Sequence, residues 1–173
     1  DMQDVLRYVL ISTCPETKDN DFTWKDFQAR NNGELVAIYG NFANRVLSLI
    51  KKYYDGKIPK VKSKNRIDDL VLEDVKVLKE EIELNLDSFK FREATKNLMN
   101  IARIGNKYLA ETEPWKIKES DPLRVEQILH TSFIIISFLA ILSEPFLPFT
   151  SVKLKNMIGL NDYSWDDLDK IFG

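Results

Sequence analysis

The amino-acid sequence predicts a single all-α helical bundle, and three observations carry that expectation. Glycine and proline are sparse, at six each in 173 residues, while Leu, Lys, Glu and Ile are abundant, which favours long helices over a turn-rich β architecture. Apolar residues recur at three- and four-residue spacing through most of the chain. A hydrophobic content of 44% over this length suffices for one compact domain with a core of its own.

The elements follow in order. Over residues 1–12, Met2, Val5, Leu6, Val9 and Leu10 fall on one stripe, so a core-facing helix is expected there, closed by Pro15 and continuing upstream of a chain that opens within a helical pattern without an initiator methionine. A polar connection, residues 17–21, leads to Thr23-Trp24-Lys25-Asp26, a capping-box pattern in which Asp26 reaches back. One long helix should run from Trp24 to about Tyr54, turning Phe27, Leu35, Ile38, Phe42, Val46, Leu49 and Ile50 inward. Gly33 and Gly40 weaken it, and Asp55-Gly56 stops it. Residues 57–66 (KIPKVKSKNR) lack apolar periodicity and read as a solvent-exposed loop. Two antiparallel helices are expected next, residues 70–86 with Leu72, Val75, Leu78, Ile82 and Leu86 inward, and residues 91–109 with Ala94, Leu98, Ile101 and Ala102 inward.

Asp121-Pro122 is a favourable cap with proline in the first turn, and residues 123–142 follow as the most buried helix. Its apolar run SFIIISFLAIL is about half of the roughly 20 residues a membrane span needs, so it reads as core. A shorter helix over residues 150–158 should stop at Gly159, and Ser164 to Asp167 opens a last one with a second capping-box pattern.

The charge pattern excludes several functions. A net charge of -2 and a pI near 5.6 argue against coating nucleic acid through bulk positive potential, so any RNA binding must be local. Cys14 is the single cysteine, which precludes an internal disulfide or a cysteine zinc site and fits a reducing cytoplasm. No Gly-rich phosphate loop appears. His130 is the single histidine and reads as a satisfied side chain of an apolar helix, while Glu80-Glu81 and Asp166-Asp167 read as solvated faces. No catalytic residue and no metal ligand is nominated.

Asn41 and Arg45, four residues apart in the long helix, share one face. An amide and a guanidinium side by side can read the Watson-Crick edge of an unstacked base. Trp115 follows Glu113-Pro114 at a corner where an indole can offer its ring for stacking, although a core plug is the alternative. Lys51, Lys52, Lys57, Lys60, Lys62, Lys64 and Arg66 form a basic concentration that suits either phosphate contacts or a solubilising loop.

Taken jointly, DVLRYVL at 4–10, DFTWKDFQARNNGEL at 21–35, GNFANR at 40–45, YDGKIP at 54–59, NKYLAETEPW at 106–115 and PFLP at 145–148 resemble, in this order, the methionyl-tRNA synthetases after their catalytic domain. The resemblance implies that residues 1–20 end the connection from a catalytic domain, in the stem-contact region, and that residues 21–173 form a helical anticodon-binding domain. It implies that Asn41 and Arg45 contact bases of the CAU anticodon of tRNA(Met), cytosine first among them, and that Trp115 stacks beneath one. Trp24 would belong to the segment joining the bundle to the catalytic half. Ala110 stands where some relatives carry an acidic residue, so a supporting hydrogen bond is expected to be missing. Lys62-Ser63-Lys64 differs in order from the family's signature loop and lacks its methionine. The ATP-binding loops lie outside this sequence, so the resemblance assigns ATP and Mg to the parent enzyme, leaves open whether its catalytic half holds a structural Zn, and assigns no cofactor to these residues. The implied partners are the tRNA(Met) anticodon stem-loop and the catalytic domain, with no membrane and no DNA. Two alternatives stand beside it: the anticodon domain of a cysteine, isoleucine, leucine or valine enzyme, and a helical protein-interaction module in which Trp115 is buried.

Overall fold

The computed structural model describes residues 2–16, 19, 21–61, 63, 65–171, and among them the chain is helical without a strand. Helices α1 (Met2–Ser12), α2 (Trp24–Arg30), α3 (Asn41–Tyr54), α4 (Arg66–Asp87), α5 (Phe91–Thr112), α6 (Pro114–Ile117), α7 (Pro122–Leu142) and α8 (Pro148–Ile158) are followed by a 3-10 segment, Trp165–Ile171. At the centre lies α7, with every residue from Ile134 to Leu142 buried, and α3, α4, α5, α8 and the 3-10 segment pack on it. By length and composition α7 could cross a membrane, yet 78% of its most apolar window is buried inside the bundle, so it is the core helix the sequence predicts.

The inward face of α1 differs from the expected stripe. Asp4, Tyr8 and Val9 are buried, while Met2 (71% exposed), Leu6 and Leu10 face outward. The cause is polar: Asp4 accepts from the backbone N–H groups of Phe149 (3.3 Å) and Thr150 (2.6 Å) and from the Thr150 hydroxyl (2.5 Å). The carboxylate thereby caps α8, whose own N-cap residue, Leu147, has no side chain to do so. On the same side of α1 the Tyr8 phenol donates to Glu34, and burial followed by that contact pushes the phenol well above its ordinary range.

Thr23 caps α2 as predicted, its hydroxyl accepting from the Asp26 N–H (3.1 Å) and donating to the Asp26 carboxylate (2.7 Å). The expected single helix is continuous in path but winds as a π-helix over Asn31–Gly40. At its end the Asn41 N–H reaches back to both Ile38 and Val36 carbonyls. The wider winding shifts the phase of the apolar face, so Tyr39 is buried while Leu35 and Ile38 are only half-buried. Phe22 and Phe27 meet the exposed Trp24 ring edge-on, at 5.2 and 5.6 Å. Asp55 and Gly56, both at positive φ, end α3.

The segment after α3 is docked rather than solvated throughout. Pro59 is buried, His130 Nδ1 meets its carbonyl at 3.0 Å, and Gln127 donates to the Ser63 carbonyl (3.0 Å). His130 is thus a satisfied side chain with a structural contact. Lys51, Lys52, Lys57, Lys60 and Arg66 are exposed; Lys62 and Lys64 lie outside the described residues, as do Thr17 and Asn20 of the polar connection.

Helix α4 starts four residues before the predicted Leu70. Asn65 forms a reciprocal cap, its side chain accepting from Ile67 N–H (3.1 Å) and its own N–H donating to Asp68 (3.0 Å). Asp68 is buried and takes both Arg124 Nη1 (2.7 Å) and Nη2 (2.8 Å), and the Tyr108 hydroxyl (2.5 Å), so one carboxylate joins α4, α5 and α7. The three residues between α4 and α5, with Phe89 at φ 57°, fold the two back as the expected antiparallel pair. Glu81 is engaged by Asn97 (2.9 Å) rather than only solvated, and Asp167 closes the predicted Ser164 box on a helix that proves to be 3-10. Gly159 at φ 74° ends α8 as expected.

Candidate nucleic-acid interface

Three local features build one corner of the bundle. The π winding ends at Gly40, so Asn41 and Arg45 occupy the first two turns of α3. Next to Asn41, the buried Phe42 ring lies on the backbone of Gly105 in α5, where a Cβ would stand 2.3 Å from Phe42 Cζ. Glycine is required there for α3 to approach α5 this closely. Beyond α5, Glu113 at φ 41° and Pro114 turn the chain into α6 and bring Trp115 round to the same side.

One side chain ties these residues together. Asn106 donates through Nδ2 to the carbonyls of Ile38 (2.9 Å) and Ala102 (3.0 Å). Its Oδ1 accepts from Asn41 Nδ2 (2.9 Å) and Arg45 Nη1 (3.4 Å). The Arg45 guanidinium lies 5.5 Å from the centre of the Trp115 ring, within cation–π range. Asn41 is exposed, Arg45 half-buried and Trp115 41% exposed. All three predicted site residues therefore meet on one open surface, and the indole is not a core plug. One turn beyond Trp115, Lys118 Nζ stands 4.4 Å from the Tyr53 ring centre, and Lys52 Nζ stands 5.6 Å from the same ring.

Asn106 was not singled out by the sequence, where it is one polar residue in an amphipathic helix and marks only the start of NKYLAETEPW. Ala110 is exposed. The corner can accept, donate and stack at once: Asn41 keeps its Oδ1 and one N–H for a ligand, Arg45 keeps further N–H donors, and Trp115 offers a ring face. Among the described residues, no group of three or more His, Cys, Asp or Glu side chains is placed to hold a metal ion.

A family model described as the anticodon binding domain of methionyl tRNA ligase matches residues 58–172, and one described as tRNA synthetases class I (M) matches residues 2–47. The class is thus the anticodon-binding part of a class I aminoacyl-tRNA synthetase. A methionine-tRNA ligase of Phocaeicola vulgatus is 56% identical over 168 residues, covering 97% of this chain and 25% of that protein. One of Porphyromonas gingivalis is 56% identical over 167 residues, covering 96% and 25%. The methionyl-tRNA synthetase of Mycobacterium tuberculosis in its free state superposes with a TM-score of 0.83 at 25% identity, over 88% of this chain and 32% of that one. Its complex with methionyl-adenylate gives 0.90 at 24% identity over 95% and 34%, a likeness of fold. The chain belongs to the methionyl-tRNA ligase family, and it spans about a quarter of the length of the curated relatives it matches.

Proposed function

We propose that this chain binds the anticodon loop of tRNA(Met) for a methionine-tRNA ligase, with Asn41 and Arg45 reading the cytosine of CAU and Trp115 stacking beneath a base. The observation that carries the reading is the meeting of the amide, the guanidinium and the indole through Asn106 on one open corner. Cytosine's Watson-Crick edge presents an amino donor beside two acceptors; the Asn41 Oδ1 takes the first, and the remaining N–H groups of Asn41 and Arg45 serve the others. Stacking on Trp115 adds about 1–3 kcal/mol without base preference, so identity is read by the polar pair and affinity is shared.

Residues 1–20 are the end of the connection from a catalytic domain and residues 21–173 the anticodon-binding domain. Methionine activation with ATP and Mg, and any structural Zn, belong to the part of the parent enzyme outside this chain, and no step is assigned to residues here. The catalytic domain is the second partner, and the compartment is the cytoplasm. Asn41→Ala, Arg45→Ala and Trp115→Ala should each weaken binding of a CAU hairpin while leaving thermal unfolding of the chain close to the parent; unchanged affinity in all three variants would overturn the assignment.

A further inference from the structure

With a net charge of -2, the chain must hold RNA locally; Arg45 lies at the base-reading corner, and Lys52 and Lys118 stand over the Tyr53 ring. A second concentration of cations lies beside it, outside the basic segment after α3. Between α1, the π stretch and α5 is a polar cavity of about 210 Å³ whose wall includes Arg30, Arg92, Lys96 and Arg103. It adjoins a shallower cleft of about 450 Å³ that shares Arg30, Glu34 and Arg103 and is bounded by Ile38. The carbonyl of Ile38 is one of the two that anchor Asn106, so the cleft runs up to the base-reading corner.

The carboxylates in the two hollows are engaged. Glu34 takes the Tyr8 phenol and lies 3.5 Å from Arg30, and Asp26 closes the Thr23 cap. Glu93 meets Lys96 at 3.3 Å, but both side chains are more than half exposed, and a pair of that kind exchanges readily for a phosphate. Arg103 hydrogen-bonds to the neutral Asn100 (2.9 Å). Lys96 and Arg103 are seven residues apart on α5, about 10 Å at a rise of about 1.5 Å per residue, and Arg103 is one turn from Asn106. That interval matches roughly three nucleotides of a stacked strand at about 3.4 Å each.

We propose that this groove is a track for RNA backbone phosphates, in which Lys96 and Arg103 hold the strand whose bases enter the Asn41, Arg45 and Trp115 corner. The proposal rests on the anticodon-binding reading and adds a sequence-independent half to it: the corner specifies, the groove supplies affinity and direction.

The test titrates the chain with CAU hairpin RNA over a series of salt concentrations, for the parent, Lys96→Gln/Arg103→Gln, Arg103→Lys and Trp115→Ala, with a thermal melt of each. The double variant should bind several-fold more weakly at low salt, equally so for a hairpin changed at the first anticodon base. Its plot of log affinity against log salt should be shallower by about 1.4, from about 0.7 per phosphate on a single strand. Arg103→Lys should retain the parent slope, and Trp115→Ala should weaken binding without changing it. An unaltered slope and affinity in the double variant, with Trp115→Ala still weakened, overturns the groove alone. If Trp115→Ala also binds as the parent does, the anticodon-binding reading falls with it.

Discussion

Asn106→Ala separates positioning from stability. The substitution removes the two donations to Ile38 and Ala102 carbonyls and the single oxygen that accepts from Asn41 and Arg45. Two half-exposed amide hydrogen bonds are worth about 1 kcal/mol each, and alanine regains about 0.6 kcal/mol of helix propensity, leaving a net loss of about 1.4 kcal/mol. In a chain of this size that lowers Tm by about 3–6 °C. Binding should suffer more. Asn41 and Arg45, freed from Asn106, must be ordered by the ligand at about 0.5–1.5 kcal/mol each, which amounts to roughly 5- to 150-fold in Kd. Fluorescence anisotropy with a labelled CAU hairpin reads the second quantity and a thermal melt the first. Asn106→Asp gives the converse: it keeps an acceptor for Arg45 but sets a carboxylate against two carbonyls, so stability should drop more than affinity. A Kd for Asn106→Ala within about twofold of the parent, while Asn41→Ala still weakens binding, would refute the positioning role.

Arg124→Ala strips the buried Asp68 of its bidentate partner and should cost about 3 kcal/mol in chemical denaturation; a loss under about 1 kcal/mol would contradict the network. Burial raises the Asp68 carboxyl, but hydrogen bonds from Arg124, Tyr108 and the Asn65 backbone outweigh it and hold the group below its ordinary range. Its stabilisation is therefore complete above about pH 4 and is lost as pH falls through the folded value, so the urea midpoint should decline on acidification in the parent and less in Arg124→Ala. Gly105→Ala forces Phe42 aside and should lower Tm by a few degrees, about 1–3 kcal/mol of overpacking exceeding about 1 kcal/mol of helix propensity; a raised Tm would show that α3 and α5 are not so tightly apposed. Asp4→Asn weakens the cap on α8 and should cost about 1 kcal/mol in urea, and an unchanged midpoint would remove the carboxylate from that role.

Much of the fold was legible because helices announce themselves locally. Thr23, Asp121 and Gly159 mark ends by backbone chemistry within a few residues, and the apolar content of α7 identifies the core helix without tertiary information. What escaped depends on distant partners. Asp4 lies outside the predicted apolar stripe, and the α8 N–H groups it caps are more than 140 residues away; the exposure of Met2, Leu6 and Leu10 follows from that choice of face. The Asn65 cap was hidden inside a lysine-rich stretch, and the π winding has no period that simple amphipathic spacing detects. The site divides the same way. Asn41 and Arg45 are related by helix geometry alone and Trp115 by a proline corner, so all three could be nominated. Asn106 could not, since its importance lies in contacts across α3 and α5 that no spacing within α5 reveals.

The central claim is that an amide and a guanidinium on α3 identify a nucleotide. Affinity of the chain for hairpins that differ only at the first anticodon base measures it directly. Cytosine should be preferred by about tenfold or more, a good bidentate base contact being worth about 1–3 kcal/mol, and Asn41→Ala should erase that preference. Equal affinity for cytosine, uracil and guanine at that position, or a cytosine preference that survives Asn41→Ala and Arg45→Ala, would contradict the account.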